Sequence, residues 1–155
     1  MIEIKKIMVP VDFSRESLLA ARFGVSLSHE YNSELIVFHV IPPFHPIVRA
    51  VVPEYDSMKE KALASAQKEL GGVIPQEVKK TLKKIDEIVV VGEPHIAIPA
   101  HAQKLGVDMI VLGTHGRTGL AHVILGSVAE RVIRHAPCPV LVVRNNVEKY
   151  VHGWG

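Results

Sequence analysis

Five short runs of β-branched and aliphatic residues, each closed by turn or helix signals, constrain this chain more than any other feature. They are Lys6-Ile-Met-Val-Pro-Val-Asp12, Leu35-Ile-Val-Phe-His-Val-Ile41, Ile85-Asp-Glu-Ile-Val-Val-Val91, Asp108-Met-Ile-Val-Leu-Gly113 and Val140-Leu-Val-Val143. Three of them are nearly continuous apolar stretches, the pattern of strands buried on both faces of a parallel sheet. Pro10 removes a ladder donor, which is tolerated at the end of a strand. Helical patterns lie between the runs. Ser14 is an N-cap for a helix reaching about Glu30, with Arg15, Arg22, Ser26 and His29 on one face. Leu18, Ala21, Phe23, Val25 and Leu27 cover most of the rest. Met58, Ala62, Ala66 and Leu70 recur four apart in a second helix, closed by Gly71 and Gly72, and residues 75–84 hold a further helical piece. A third helix ends at Leu105 before Gly106, and Pro99 predicts either a kink in it or a start near Ile98. A fourth runs from Ser127 to His135 and stops before Pro137. The alternation predicts an α/β fold: a parallel sheet with right-handed crossovers and helices on both faces.

The 155 residues favour one domain, over residues 1–145, followed by a tail in which Tyr150 and Trp154 are candidate docking points. Residues 42–53 hold four prolines and form the one long loop. With 18 basic against 16 acidic side chains the net charge is only +2, which argues against a dedicated nucleic-acid surface. Aromatic residues make up 5%, too few for base-stacking platforms, so the core is aliphatic. The single cysteine, Cys138, cannot form an internal disulfide and fits a reducing compartment. No signal-peptide core precedes Pro10, and the most apolar stretch falls far short of the ~20 residues that cross a bilayer. A cytoplasmic protein is expected.

Ligands of open α/β sheets bind beyond the carboxyl ends of strands, near the point where strand order reverses. After the fourth run come Gly113, Thr114, His115, Gly116, Arg117, Thr118 and Gly119, and further on Gly126, Ser127, Val128 and Ala129. Glycines permit turning and close approach, Arg117 offers a cation with several donors, and a helix starting at Ser127 presents free N–H groups to an anion. The plain alternative is a glycine-rich connector whose Ser127 caps its helix. A Walker-type loop is absent, and so is the dinucleotide pattern Gly-x-Gly-x-x-Gly.

The spacing Gly113-x2-Gly116-x9-Gly126-Ser127 resembles the ATP-binding signature of the universal stress protein family. The surrounding Gly126-Ser-Val-Ala-Glu-Arg131, His135-Ala-Pro-Cys-Pro-Val-Leu-Val-Val-Arg144, Ile7-Met-Val-Pro-Val-Asp-Phe-Ser14, Phe38-His-Val-Ile41 and Val91-Gly-Glu-Pro94 resemble it as well. The resemblance implies a Rossmann-like, adenine nucleotide hydrolase-like sheet of five parallel strands in order 3-2-1-4-5. It implies ATP with Mg²⁺ or Mn²⁺ as ligand. Asp12 would hydrogen-bond the nucleoside or help hold the cation, Val40 would bind adenine through its backbone, and Pro10 and Ile41 would line the pocket. The residues from Gly113 to Gly119 and from Gly126 to Ala129 would wrap ribose and phosphates. It also implies a homodimer through the edge formed by Val140, Leu141, Val142 and Val143. Read from the residues alone, Asp12 equally serves to close a turn onto Ser14, and His115 either touches phosphate or is a solvated loop residue.

Nine histidines invite a metal site, but His95, His101, His115, His122 and His135 lack zinc-ligand spacings, and His39 reads as a satisfied interior residue. Cys138, between two prolines, reads as a small core residue. Three functions compete: a nucleotide-dependent regulatory switch in stress response, a slow ATPase or nucleotidyl-transfer enzyme, and a nucleotide-independent interaction module with an unknown protein partner. Catalysis would need a base near the terminal phosphate; Asp12 would lie toward the nucleoside end and His115 is the one remaining candidate, so the switch is preferred. A phospho-receiver domain is excluded because strand one ends in Asp12 followed by Phe13 and strand three in Val91-Gly92-Glu93, without the required acidic pair and phospho-accepting aspartate.

Overall fold

A computed structural model of the chain describes residues 1–114, 125–144 and 149–151. Strands β1 (Lys6–Pro10), β2 (Glu34–Ile41), β3 (Ile85–Val91), β4 (Met109–Gly113) and β5 (Val140–Val143) form one sheet in the order β3-β2-β1-β4-β5. Every pairing is parallel, with Ile7 opposite both Leu35 and Met109, and Val40 opposite Val90. The expected strand order is the observed one. The sheet reverses between β1 and β4, so their carboxyl ends open a crevice there.

Helices α1 (Arg15–Tyr31) and α3 (Tyr55–Leu70) cover one face, and α5 (Pro94–Leu105) and α6 (Ser127–His135) the other. The first core combines Ile7, Val9, Leu35 and Val37 with Leu19, Ala20, Val25 and Leu70. The second combines Met8, Ile36, Phe38 and Ile110 with Ile98, Ala102 and Val132. Strict alternation along each strand thus feeds both layers, which is why the strands read as continuous apolar runs. Ser14 caps α1 through its Oγ, which accepts from the Ser17 N–H at 3.2 Å, and Asn32 closes the helix in the left-handed region that asparagine tolerates. Gly24 lets α1 lie directly on β1, because a Cβ there would collide with Val9 Cγ2. The buried face of α1 is accordingly Ser17, Leu19, Ala20, Ala21, Gly24, Val25 and Ser28. Leu18, assigned to the apolar side from sequence, is 37% exposed.

Three further expectations are revised. The proline-rich stretch is not all loop: it contains α2 (Pro46–Val51), with Pro46 in the first turn and His45 Nδ1 accepting from the Ile47 N–H at 3.3 Å. Proline at the first position loses only an N–H that has no helical partner anyway. Helix α5 does not start near Ile98 but at Pro94, and Pro99 lies within it. Its missing backbone bond is accompanied by burial of the ring, in a helix whose Ile98 and Ala102 join the second core. In the tail, Tyr150 is 67% exposed; the docked residue is Val151, 5% exposed, whose carbonyl accepts from Arg22 Nη2 on α1 at 2.9 Å. Trp154 lies outside the described residues. The short helix α4 (Gln76–Lys79) lies within the segment expected to be partly helical.

The two sheet edges differ. On β3, Gln67 Nε2 donates to the Glu87 carbonyl at 3.1 Å and Lys79 Nζ pairs with the Glu87 carboxylate at 2.7 Å, so polar side chains block that edge. On β5, Leu141 is exposed and Val140 and Val142 are half-buried.

Candidate functional site

The carboxyl ends of β1, β2 and β4 enclose one side of a cavity of about 390 Å³, and the first turn of α6 and the β3–α5 turn close the other. This is a volume of the size used by small-molecule sites, which run roughly 300–1,000 Å³. Pro10, Asp12, Val40, Ile41, Gly113, Gly126, Ser127, Val128 and Ala129 line it, brought together from four separate parts of the chain. Thr114 is buried behind the wall, where its N–H donates to the Val143 carbonyl at 3.1 Å and its carbonyl accepts from the Gly126 N–H at 2.7 Å. That pair of bonds ties the start of α6 to the end of β4. His115, Gly116, Arg117, Thr118 and Gly119 lie outside the described residues.

The wall also includes residues that were not expected: Val11, Ser17, Phe38, His39, Pro42, Pro94, Ile98 and Leu112. The period of strand side chains carried part of this information, since Phe38 and Val40 stand on the same face of β2. Pro94 stood out only as the end of the Val91-Gly-Glu-Pro94 turn, and Ile98 not at all, because a helix from another layer contributes them.

Asp12 does two things. Its Oδ1 accepts from both the N–H and the hydroxyl of Ser14, closing the turn from β1 into α1, and the same residue lines the cavity. The turn is tightly held: Ser17 Oγ accepts from the Asp12 N–H at 3.2 Å and donates to the Ser14 carbonyl at 3.0 Å. Phe13 between them has φ of +65°, the left-handed region that a bulky residue enters only when its surroundings compel it. Both readings of Asp12, turn closure and cavity contact, are therefore compatible in one geometry.

The two helix starts at the cavity are electrostatically unequal. Helix α1 is capped by Ser14 and faces the Asp12 carboxylate, which neutralises its positive end. Helix α6 has Gly126 as its N-cap and, among the described residues, no side-chain cap, so the plain alternative of Ser127 as the cap is not the arrangement found. Its first N–H groups lie in the stretch from Gly126 to Ala129, which lines the cavity. An anion is stabilised at such an end, a cation or hydroxyl donor at Asp12. Gly113 has a role distinct from ligand approach: a Cβ there would lie 2.8 Å from the backbone carbonyl carbon of Glu16 and 2.9 Å from its oxygen. The absent side chain lets α1 approach β4. Among the described residues no group of three or more His, Cys, Asp or Glu is arranged to hold a metal ion. Cys138 is half-buried against the second core, and desolvation there, with Asp108 nearby, pushes its thiol pKa up. No helix among the described residues is long and apolar enough to cross a membrane.

Comparison with known proteins agrees over nearly the whole chain. A profile of the universal stress protein family matches residues 3–144. The chain is 38% identical over 144 residues to a universal stress protein of Methanocaldococcus jannaschii, covering 90% of this chain and 82% of that one. It is 33% identical to a second from that organism, covering 90% and 94%. The solved structure of this second protein superposes with a TM-score of 0.78 over 93% of this chain and 98% of that one, at 34% identity. The universal stress protein UspA of Lactobacillus plantarum superposes with a TM-score of 0.75, at 26% identity, over 93% of this chain and 100% of that one. The chain belongs to the universal stress protein family.

Proposed function

We propose that this protein binds ATP in the cavity and acts as a nucleotide-dependent switch in a stress response. The observation that carries the reading is the pairing of the start of α6, without a side-chain cap among the described residues, with the Asp12 carboxylate across one cavity of nucleoside-compatible size. Phosphates would take the α6 end, where backbone N–H groups and the helix dipole favour negative charge. The aliphatic wall of Pro10, Val40, Ile41 and Ile98 would hold the base, with the Val40 backbone as its hydrogen-bonding edge. The residues from His115 to Gly119, Arg117 above all, would complete the phosphate contacts. Asp12 is the only carboxylate among the described lining residues. Mg²⁺ or Mn²⁺ would therefore be held chiefly by phosphate oxygens and water, as these ions commonly are, with Asp12 as the carboxylate nearest to hand among the described lining residues.

The same observation favours binding over turnover. Phosphoryl transfer needs a group that orients the attacking nucleophile at the terminal phosphate. Asp12 stands instead at the end of β1, hydrogen-bonded into the α1 turn. We expect at most weak hydrolysis. An edge at β5 with Leu141 exposed and no further strand paired to it among the described residues, set against the blocked edge at β3, supports a homodimer through Val140, Leu141, Val142 and Val143. The lone cysteine supports a reducing, cytoplasmic setting.

The test is to denature freshly purified protein and identify what it releases. ATP or its breakdown product, in an amount approaching one per chain, is expected. A nucleotide-free protein that also shows no thermal shift with Mg²⁺-ATP would refute the reading. Steady turnover of ATP that His115→Ala abolishes would favour the enzyme alternative.

A further inference from the structure

His39 is buried, 9% exposed, and lines the cavity, yet among the described residues only one of its two ring nitrogens has a partner. Nδ1 lies 2.6 Å from the Val11 carbonyl oxygen. A carbonyl can only accept, so Nδ1 carries the proton. This bond takes the place of the next rung of the ladder, beyond the point where Val11 N–H donates to the Phe38 carbonyl at 2.8 Å and β1 turns away. The Phe13 ring packs against the imidazole at 4.5 Å between centroids, and Phe13 is the residue held at φ of +65°. The imidazole therefore cannot swing without undoing the turn that carries Asp12.

Nε2 has no hydrogen-bond partner among the described residues. Nor is it one of the buried side-chain atoms sealed from solvent without a hydrogen bond among the described residues, such as Arg22 Nε and Ser28 Oγ. A polar atom on so buried a side chain needs an outlet or a partner, and His39 is among the residues that line the cavity. We infer that His39 is a ligand-contacting residue whose Nε2 lone pair accepts a hydrogen bond from an O–H or N–H donor of the bound nucleoside. The inference rests on the nucleotide reading of the site. It gives the cavity a chemical polarity: Asp12 and His39 present acceptors from the β1–β2 side, and α6 presents donors from the β4 side. A molecule anionic at one end and rich in hydroxyl or amino groups at the other satisfies both. The donor is either a ribose hydroxyl or the exocyclic amino group of the base.

His39→Asn separates the two ring nitrogens, because the asparagine amide reaches the Nδ1 position and preserves a donor to Val11 while nothing replaces Nε2. Binding of Mg²⁺-ATP, 2′-deoxy-ATP, 3′-deoxy-ATP and inosine triphosphate is measured by calorimetry for wild type and variant, with thermal melts alongside. The expected result is an unchanged melting temperature and ATP affinity weaker by about 2- to 10-fold, the effect of one hydrogen bond. One analogue, the one lacking the matching donor, should bind the wild type more weakly and be indifferent to the substitution. As a second variant, His39→Gln, whose amide oxygen reaches the Nε2 position, should restore discrimination against that analogue. Affinities unaffected by His39→Asn, or reduced equally for all four nucleotides with a falling melting temperature, would overturn the inference alone. Failure of the wild type to bind any of the four would overturn the nucleotide reading, and this inference with it.

Discussion

Gly113→Ala separates a packing role from a ligand role at the first glycine of the Gly113-x2-Gly116 pattern. The added Cβ would stand 2.8 and 2.9 Å from the carbonyl carbon and oxygen of Glu16, both backbone atoms in the first turn of α1. No flexible side-chain end can yield. Either α1 lifts, against the Gly24–Val9 contact, or the end of β4 moves away from Val143, its partner in β5. Forced overpacking of this kind costs about 1–3 kcal/mol. For a chain of this length each kcal/mol lowers the melting temperature by roughly 2–4 °C. Gly92→Ala is the matched control, because its Cβ would meet only the Ala97 Cβ at 3.7 Å, an ordinary contact. Urea unfolding followed by circular dichroism should show the loss for Gly113→Ala and a change within about 0.5 kcal/mol for Gly92→Ala. A Gly113→Ala protein as stable as wild type, losing only nucleotide affinity, would refute the reasoning.

Ser127→Asp places a carboxylate in the first turn of α6. It should leave stability unchanged or raised by about 0.5 kcal/mol through the helix dipole, while ATP binding measured by calorimetry falls at least about tenfold by repulsion of phosphate. Val151→Ala removes two methyl groups from the docked tail residue and should cost about 1.5 kcal/mol in urea unfolding, at roughly 0.8 kcal/mol for each buried carbon. Leu141→Asp should convert the expected dimer to a monomer in sedimentation at micromolar concentration; a wild-type protein already monomeric there would contradict the β5 interface. Because burial raises the Cys138 pKa, its thiolate is scarcer at any pH below that value. Alkylation by iodoacetamide at pH 8 should be slower in the native protein than in urea, and equal rates would contradict it.

The sheet was legible in the sequence because its information is local: five apolar runs, each a strand, with alternation feeding two helix layers. Strand order came from a different source, the likeness of ordered motifs from Ile7 to Arg144 to one family. Among the site residues, Pro10, Asp12, Val40, Ile41 and Gly126 to Ala129 follow strand ends and a helix start, and these the topology gathers at the cavity. What escaped the sequence depends on three-dimensional approach. Helix α2 is only six residues long, too short for its period to show among prolines. Leu18 looked core-facing by residue type, but the face turned to the sheet is the one whose small residues, Ala20, Ala21 and Gly24, permit contact. His39 read as a satisfied interior residue: it is buried and its Nδ1 is bonded to the Val11 carbonyl, while Nε2 has no hydrogen-bond partner among the described residues.

The most direct test of the central claim is calorimetric titration of nucleotide-free protein with Mg²⁺-ATP, run beside adenosine. The account predicts saturable binding of one ATP per chain, much weaker binding of adenosine, and loss of that difference in Ser127→Asp, since the phosphates are what α6 holds. No heat and no competition with any nucleotide, or adenosine bound as well as ATP, would contradict it.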